Sequence, residues 1–341
     1  MVELKRAHDE LFRRTADEMF SSVEELHQHC CKERDTSKDC WQLPQDLSPH
    51  SAHSAMCLSI HGECDVGLND WSFSQLCRLS GVRKETLNRL SVGTTSAVLQ
   101  ETLPRSQKPI QLLSTGSTVR SLHGVAYTRL WNADLLDIVK ETAVDFRPPQ
   151  TSMTGGTGLY CGEQDMFAFL IDPLGWCEIE GEAFAPGFFV WNSEVGRRSL
   201  GIQTFWFQKV CANHIVWDAV EVVEFTRKHT ARVHDGLGEI RSIIDQLTRK
   251  RDERRDGFVN TMRNAMTTRL GDCSDDVIRQ LTERRIPRHL VDQAMEMAQV
   301  HGEFTIYALV DALTRLSQNI RYAGDRSELE SRIGSLLGLA V

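Results

Sequence analysis

The spacing of apolar positions changes three times along the chain. Over residues 1–26, Leu4, Leu11, Phe12, Met19, Phe20 and Val23 recur at roughly helical spacing, so a helix is expected there. Residues 28–70 lose that periodicity and are rich in Ser, His, Cys and Asp, which predicts an irregular arm. From 71 to 103 the pattern predicts two short helices, Ser72–Leu79 and Lys84–Leu103, separated by a turn at Gly81 and ended by Pro104.

Short β-type runs follow at Ile110–Ser114, Val119–His123, Met166–Ile171 and Cys177–Glu182, with a helix at Asn132–Thr142 between the two pairs. Two aromatic-rich strands, Gly187–Gly196 and Gly201–Cys211, flank a polar link and predict a prominent β-hairpin. Beyond Asn213 helical patterning predominates: Ile215–Thr230, a long charged helix over Leu237–Leu270, then Val277–Glu283, Pro287–Val300 and Thr305–Tyr322. Strands grouped together and then a run of helices predict an α+β fold, an antiparallel sheet with its hairpin followed by a helical C-terminal region. The expected divisions are an N-terminal helix and arm (1–70), an α+β core (71–235) and a helical region (236–341).

With 341 residues, 41% of them hydrophobic and 25% charged, the chain can bury a sizeable core. No apolar run approaches the roughly 18 residues a membrane span needs, so a soluble cytoplasmic protein is expected, with no membrane partner. In that reducing setting the ten cysteines do not predict a disulfide framework, and Cys77, Cys161, Cys177 and Cys211 read as small buried hydrophobes. The net charge of −8 argues at first against a nucleic-acid partner. Divided by segment it changes meaning. Residues 1–70 carry 7 basic against 14 acidic side chains, and residues 151–196 carry 7 acidic and no basic ones. Residues 197–290 reverse the sign, with 18 basic against 13 acidic. A basic face is therefore compatible with the acidic total.

Four constellations could carry chemistry. His50, His53, Cys57, His61 and Cys64 offer imidazole and thiolate at close spacing, as zinc prefers, although no C-x2-C pair is present; a mobile arm is the alternative. Ser74–Leu90 has the small residue, Gly81 turn and apolar Leu87 of a helix-turn-helix, with Arg83, Lys84 and Arg89 able to meet phosphates; an ordinary helical hairpin is the alternative. Strand alternation would put Glu178, Glu180 and Glu182 on one face, as a carboxylate metal site or simply a solvated face. The fourth set is basic and aromatic: Arg120, Arg129, Arg197, Arg198, Lys209, Arg227 and Lys228, with Trp206 on the second hairpin strand. Basic grooves with aromatic platforms hold single-stranded nucleic acid. Phe205 and Phe207 are expected in the core. Walker, dinucleotide-binding, metalloprotease and nucleophile-elbow motifs are absent, so neither catalysis nor a cofactor is expected.

Several of these stretches resemble one family. Leu112–Ser114, Thr118–Tyr127 and Asn132–Leu136, the block Phe188–Ser199 (FFVWNSEVGRRS) running into Val210–His214 (VCANH), and Phe304–Thr314 are similar to the phage/plasmid-like protein family known as domain of unknown function 932. The NSEVG and VCANH blocks are the specific part, and the likeness spans about residues 71–338. His123-Gly124 departs from the polar pair expected there. The resemblance implies carriage on mobile elements but no assigned activity. A hairpin-rich sheet followed by helices is also similar in plan to the annealing core of RecT, Red-beta and Rad-fifty-two type recombination proteins, which pair single strands as oligomers without metal or nucleotide. The leading expectation is thus a homo-oligomeric protein that binds and anneals single-stranded DNA. Its phosphate contacts would be Arg120, Arg129, Arg197, Arg198, Lys209, Arg227 and Lys228, and Trp206 would stack on a base. A helix-turn-helix duplex regulator and a metal-dependent enzyme or non-DNA assembly protein are the alternatives.

Overall fold

The computed structural model describes residues 18–52, 55–60, 63–149, 157–210, 213–217, 223–300, 304–317, 329, 332–333 and 335–340. The fold is α+β, with two antiparallel-rich sheets carrying helices and a helical region at the C-terminal end. Among the described residues no helix is long and apolar enough to cross a membrane.

The segment expected to be an irregular arm is instead mostly sheet. Helix α1 (Val23–Thr36) starts at Ser22, whose hydroxyl caps Glu25 N, and buries only Leu26 and Cys30. Strands β1 (Ser37–Gln42), β2 (Leu47–Ala52), β3 (Ala55–Ile60) and β4 (Glu63–Leu68) follow. They join β5 (Ile110–Thr115) and β6 (Thr118–Gly124) in the order β1-β5-β6-β4-β3-β2, antiparallel except for the β4–β6 pair. Periodicity missed these strands because so few of their residues are buried and apolar: Leu47 in β2 and Leu58 in β3. β2, β3 and β4 pair as consecutive hairpins. The four strands join the rest of the sheet only through distant chain, β1 through β5, as in Cys40 opposite Leu112, and β4 through β6. Helices α2 (Asp70–Ser80), α3 (Lys84–Leu87) and α4 (Val92–Thr102) cover the sheet through Leu76, Cys77, Leu87 and Leu99. The second helix predicted from the helix-turn-helix spacing is thus broken, and its part after Gly81 is a single turn.

The second sheet carries the hairpin. β7 (Leu159–Cys161), β8 (Met166–Ile171), β9 (Cys177–Ile179), β10 (Glu182–Asn192), β11 (Leu200–Val210), β12 (Asn213–Trp217) and β13 (Glu224–Arg227) make it up, with β10 and β11 at its centre. Both faces are buried, which is why these strands read as near-continuous apolar runs. Met166, Ala168, Leu170, Phe188, Val190, Leu200 and Ile202 face α1, α5 (Asn132–Thr142) and α6 (Asp235–Arg249). Phe167, Phe169, Phe189, Trp191, Phe205 and Phe207 build an aromatic cluster on the other face. The two central strands approach closely around Trp191. A Cβ at Gly201, its cross-strand partner, would lie 2.1 Å from the indole.

Three other expectations are corrected. The described residues within 215–230 are not helical but contribute to β12 and β13, which pair with opposite ends of β11. Cys177–Glu182 is not one strand: Glu180 (φ 50°) and Gly181 (φ 84°) form a two-residue turn between β9 and β10. Positive φ at both positions suits the right-handed twist of a hairpin, and it removes Glu180 from the face expected to align three carboxylates. The long helix over 237–270 is divided at Lys250 into α6 and α7 (Arg251–Thr267). Helices α8 (Ser274–Glu283), α9 (Arg288–Val300) and α10 (Ile306–Ser317) then pack with α7 around Phe258 and Met262, against Phe184 and Trp206 of the sheet.

Two glycine substitutions should act in opposite directions in denaturant unfolding. Gly201→Ala forces Trp191 to move and should cost about 1–3 kcal/mol. Gly238→Ala, on α6 with nothing within 4 Å of the added methyl, should stabilise by about 0.5–1 kcal/mol.

Candidate functional site

The turn between β10 and β11 is where the two sheets meet. Its residues, Asn192 to Arg198, are those of the NSEVGRR block. Asn192 is wholly buried and its Nδ2 donates to Leu130 O and Asn132 Oδ1, both at 2.9 Å. Ser193 Oγ donates to Gln164 O at 2.5 Å and accepts from Arg197 N at 2.8 Å, closing the turn on itself. Gly196 is required twice over. Its φ is +69°, and a Cβ there would fall 2.5 Å from His123 Cε1.

Glu194 is the centre of this arrangement. Only 1% of it is exposed, yet its carboxylate accepts from Asn132 N at 2.8 Å and from Arg120 Nη1 at 3.1 Å. Its carbonyl accepts from Tyr127 Oη at 2.8 Å and from Arg129 Nη1. Arg120 also reaches Glu33 Oε1 on α1 at 3.2 Å. Arg129 forks onto Asp39 of β1, with Nη2 and Nε at 2.7 and 3.1 Å from the two carboxylate oxygens. Burial raises the Glu194 carboxyl pKa, with the Arg120 charge opposing it. The pairing is therefore what holds a carboxylate in this apolar place.

Beside the turn lies a stack of rings. His123 and Tyr127 are parallel with centroids 3.6 Å apart, and Tyr127 stacks on His229 at 5.4 Å. Burial, reinforced by the Arg129 charge, drives the His123 pKa down to about 3, and burial brings His229 down to about 4. Both rings are neutral at physiological pH.

The predicted contact residues separate into inside and outside. Arg120 and Arg129, expected to meet phosphates, are 6% and 7% exposed and are committed to Glu194, Glu33 and Asp39. Trp206, expected to stack on a base, is instead buried against Phe258, parallel and 3.9 Å away. Phe205 and Phe207 lie in the core as expected. Arg198 pairs with the buried Asp165 and lies over the Phe167 ring. Lys209 occupies β11 opposite Ala183 and His214. Arg197 is exposed at the turn, Lys228 is exposed just after β13, and Arg227 is half-buried over Phe225. The register places Arg227 opposite Leu200, so the Arg227-Lys228 pair sits beside the same turn.

Trp71 and Arg78 of α2 were missed as members of this site. The guanidinium carbons of Arg78 and Arg197 each lie 5.5 Å from the Trp71 ring centroid, while the indole Nε1 donates to Val195 O at 2.8 Å. Among the described residues neither arginine makes an ion pair. A tryptophan one position into a helix has no distinctive local signal, and its partner is supplied by chain more than a hundred residues away. Arg83 and Arg89 of the expected helix-turn-helix are exposed, and Lys84 pairs with Asp70.

The predicted His/Cys metal cluster is only partly accounted for. His50 and Cys57 are cross-strand neighbours on β2 and β3, and His50 Nε2 lies 3.1 Å from Asp65 Oδ1. Cys64 is placed on β4, while His53 and His61 lie outside the described residues. Comparisons with family models, curated proteins and solved structures return no match to this chain.

Removing the Glu194 carboxylate leaves Arg120 partly uncompensated in the interior. Glu194→Ala should lower unfolding stability by about 3–5 kcal/mol, and the Arg120→Met/Glu194→Gln pair should cost less than the two single changes added together. Stability should also fall on acidification. In the unfolded chain histidines take up protons below about pH 6.5, whereas folded His123 and His229 stay neutral down to about 3 and 4. Their contribution is complete above pH 6.5 and is lost progressively as the pH falls toward 4. Thermal unfolding of His123→Phe should accordingly depend less on pH between 7 and 5 than that of the unaltered protein.

Proposed function

We propose that this protein binds single-stranded DNA on the hairpin-turn face, as a homo-oligomeric annealing protein of a phage or plasmid recombination system working in the cytoplasm. The observation that carries the reading is the sharing of Trp71 by Arg78 and Arg197, next to Arg227 and Lys228. Guanidinium groups free of carboxylates and held at an aromatic ring are suited to backbone phosphates, and a half-exposed indole edge is suited to a base. The strand and turn chemistry of the NSEVGRR block supports it by another route: Asn192, Ser193 and Glu194 stiffen the turn that presents Arg197. Arg120, Arg129 and Trp206 have no direct part in this reading. They act as supports beneath the surface.

The acidic total sets a limit. Only one face is available, so binding is tolerant of sequence and strongly dependent on salt rather than a general coating of nucleic acid. A duplex-reading helix-turn-helix is less well supported, because the helix after Gly81 has four residues.

Fluorescence anisotropy with a labelled oligonucleotide tests the proposal. Binding at about 50 mM salt should weaken steadily as salt rises, by about 0.7 in log K per log salt for each phosphate neutralised. Arg197→Ala should weaken binding and flatten that slope, as should Arg227→Ala with Lys228→Ala, while the fold is retained. Absence of any binding at low salt, or equal binding by the Arg197→Ala protein, overturns it.

A further inference from the structure

A second cluster lies on the opposite side of Arg120 from the turn. His29 and Glu33 are four residues apart on α1 and so share one helix face. The helix is anchored to the edge of the second sheet: Phe20 N donates to Leu159 O at 3.0 Å, and Met19 bridges to Tyr160. That anchoring brings Cys161, at the end of β7, to the same face. A ring nitrogen of His29, a carboxylate oxygen of Glu33 and Cys161 Sγ all lie within 4.8 Å of one another. Cys30 adds a second sulfur, 3.9 Å from Cys161 Sγ.

We propose that His29, Glu33 and Cys161 bind a divalent cation of the zinc type, with Cys30 as the neighbouring thiol. Four observations bear on it. The donors are one imidazole, one thiol and one carboxylate, a mixture suited to a borderline-soft ion. An ion with ligands at about 2.0–2.3 Å sets its donors roughly 3.3–3.8 Å apart, so these three need draw together by about 1.5 Å at most.

The second observation is Glu33 itself. Its Oε1 accepts from Arg120, whereas Oε2 is buried with no hydrogen-bond partner, an acceptor left without a donor. A cation supplies what that oxygen lacks. Third, the ligands have orienting neighbours. The Phe20 ring lies 4.9 Å from the His29 ring, Arg120 holds Glu33, and Asn132 Nδ2 lies 3.9 Å from Cys161 Sγ.

Charge is the fourth. Glu33 and Glu194 flank the single guanidinium of Arg120, which leaves the pocket one formal negative charge. A divalent ion bound with one thiolate neutralises it. The site opens to solvent on the His29 side, since His29 is exposed and Cys161 is buried. A water molecule can complete the coordination there. The ion would clamp α1 to β7 and, through Glu33 and Arg120, to the base of the hairpin turn. This site is separate from the His50/Cys57 pair and from the DNA-binding face, and it stands whether or not that face binds DNA.

The test uses the full chain, purified under reducing conditions, stripped with chelator, and reloaded with zinc or cobalt. Zinc should bind at one equivalent by elemental analysis and raise the thermal midpoint. Cobalt should give a thiolate-to-metal absorption band in the near ultraviolet. Cys161→Ser should abolish that band, and His29→Ala should weaken zinc binding at least tenfold. His29 is exposed, so its replacement keeps the fold even if Cys161→Ser does not. Cys57→Ala should leave both the band and the stoichiometry unchanged. Failure to retain stoichiometric metal overturns the proposal. So does an unaltered affinity in His29→Ala, loss of the band in Cys57→Ala, or recovery of Cys30 and Cys161 from the reduced, metal-loaded protein as a disulfide.

Discussion

A single buried carboxylate, that of Glu194, connects the major parts of this molecule. It receives the first amide of α5 and the guanidinium of Arg120 on β6, while its carbonyl receives Tyr127 and Arg129. Through Arg120 the connection extends to Glu33 on α1, and through Arg129 to Asp39 on β1. The first sheet, the hairpin turn and the N-terminal helix are therefore oriented by one polar network in an otherwise apolar interior. Networks of this kind are sensitive to loss of any one member, because the remaining buried charges have no water to turn to.

The same logic explains the uneven charge along the chain. The stretch 151–196 has seven carboxylates and no cation, and it would make an unusually acidic surface if all seven were exposed. Three are not. Asp165, Asp172 and Glu194 are 5%, 1% and 1% exposed, and they neutralise Arg198, Arg251 and Arg120. Much of the charge asymmetry visible in sequence is thus spent internally, where an acidic segment folds against arginines from other segments. Arg251 shows a structural use of it. Its pairing with Asp172 and Asp145 holds the start of α7 at the point where the long helical stretch divides.

This separation of inside from outside also determines which arginines can meet a ligand. Arg197 stands exposed on the turn, while the buried carboxylates of Glu194 and Asp165 are taken by Arg120 and Arg198. The rigid turn beneath it, closed by Ser193 and shaped by Gly196, holds it at the edge of Trp71. A loop fixed in this way presents its side chains with little ordering left to do on binding.

Strong local patterns were legible in the residues alone. The aromatic hairpin is one, because both faces of its strands are apolar. The C-terminal helices are another, because their apolar residues keep helical spacing: Leu309, Val310 and Leu313 in α10, Val277 and Leu281 in α8. The α+β class follows from their order. The position of Arg197 on an exposed turn was legible too, from the polar link between two strands. What could not be read locally depends on partners distant in the chain. β1 to β4 bury too little to show a period, and the set is tied into its sheet at β1 and β4 by strands some 50–80 residues away. An arginine beside a strand has the same local appearance whether it points to water or to a carboxylate from a distant segment, and for Arg120 and Arg129 only the folded chain placed Glu194 and Asp39 there. Trp71 and the His29, Glu33 and Cys161 cluster have the same origin. Hydrophobic periodicity is a property of consecutive residues, whereas electrostatic pairing and ligand geometry belong to residues that only folding brings together.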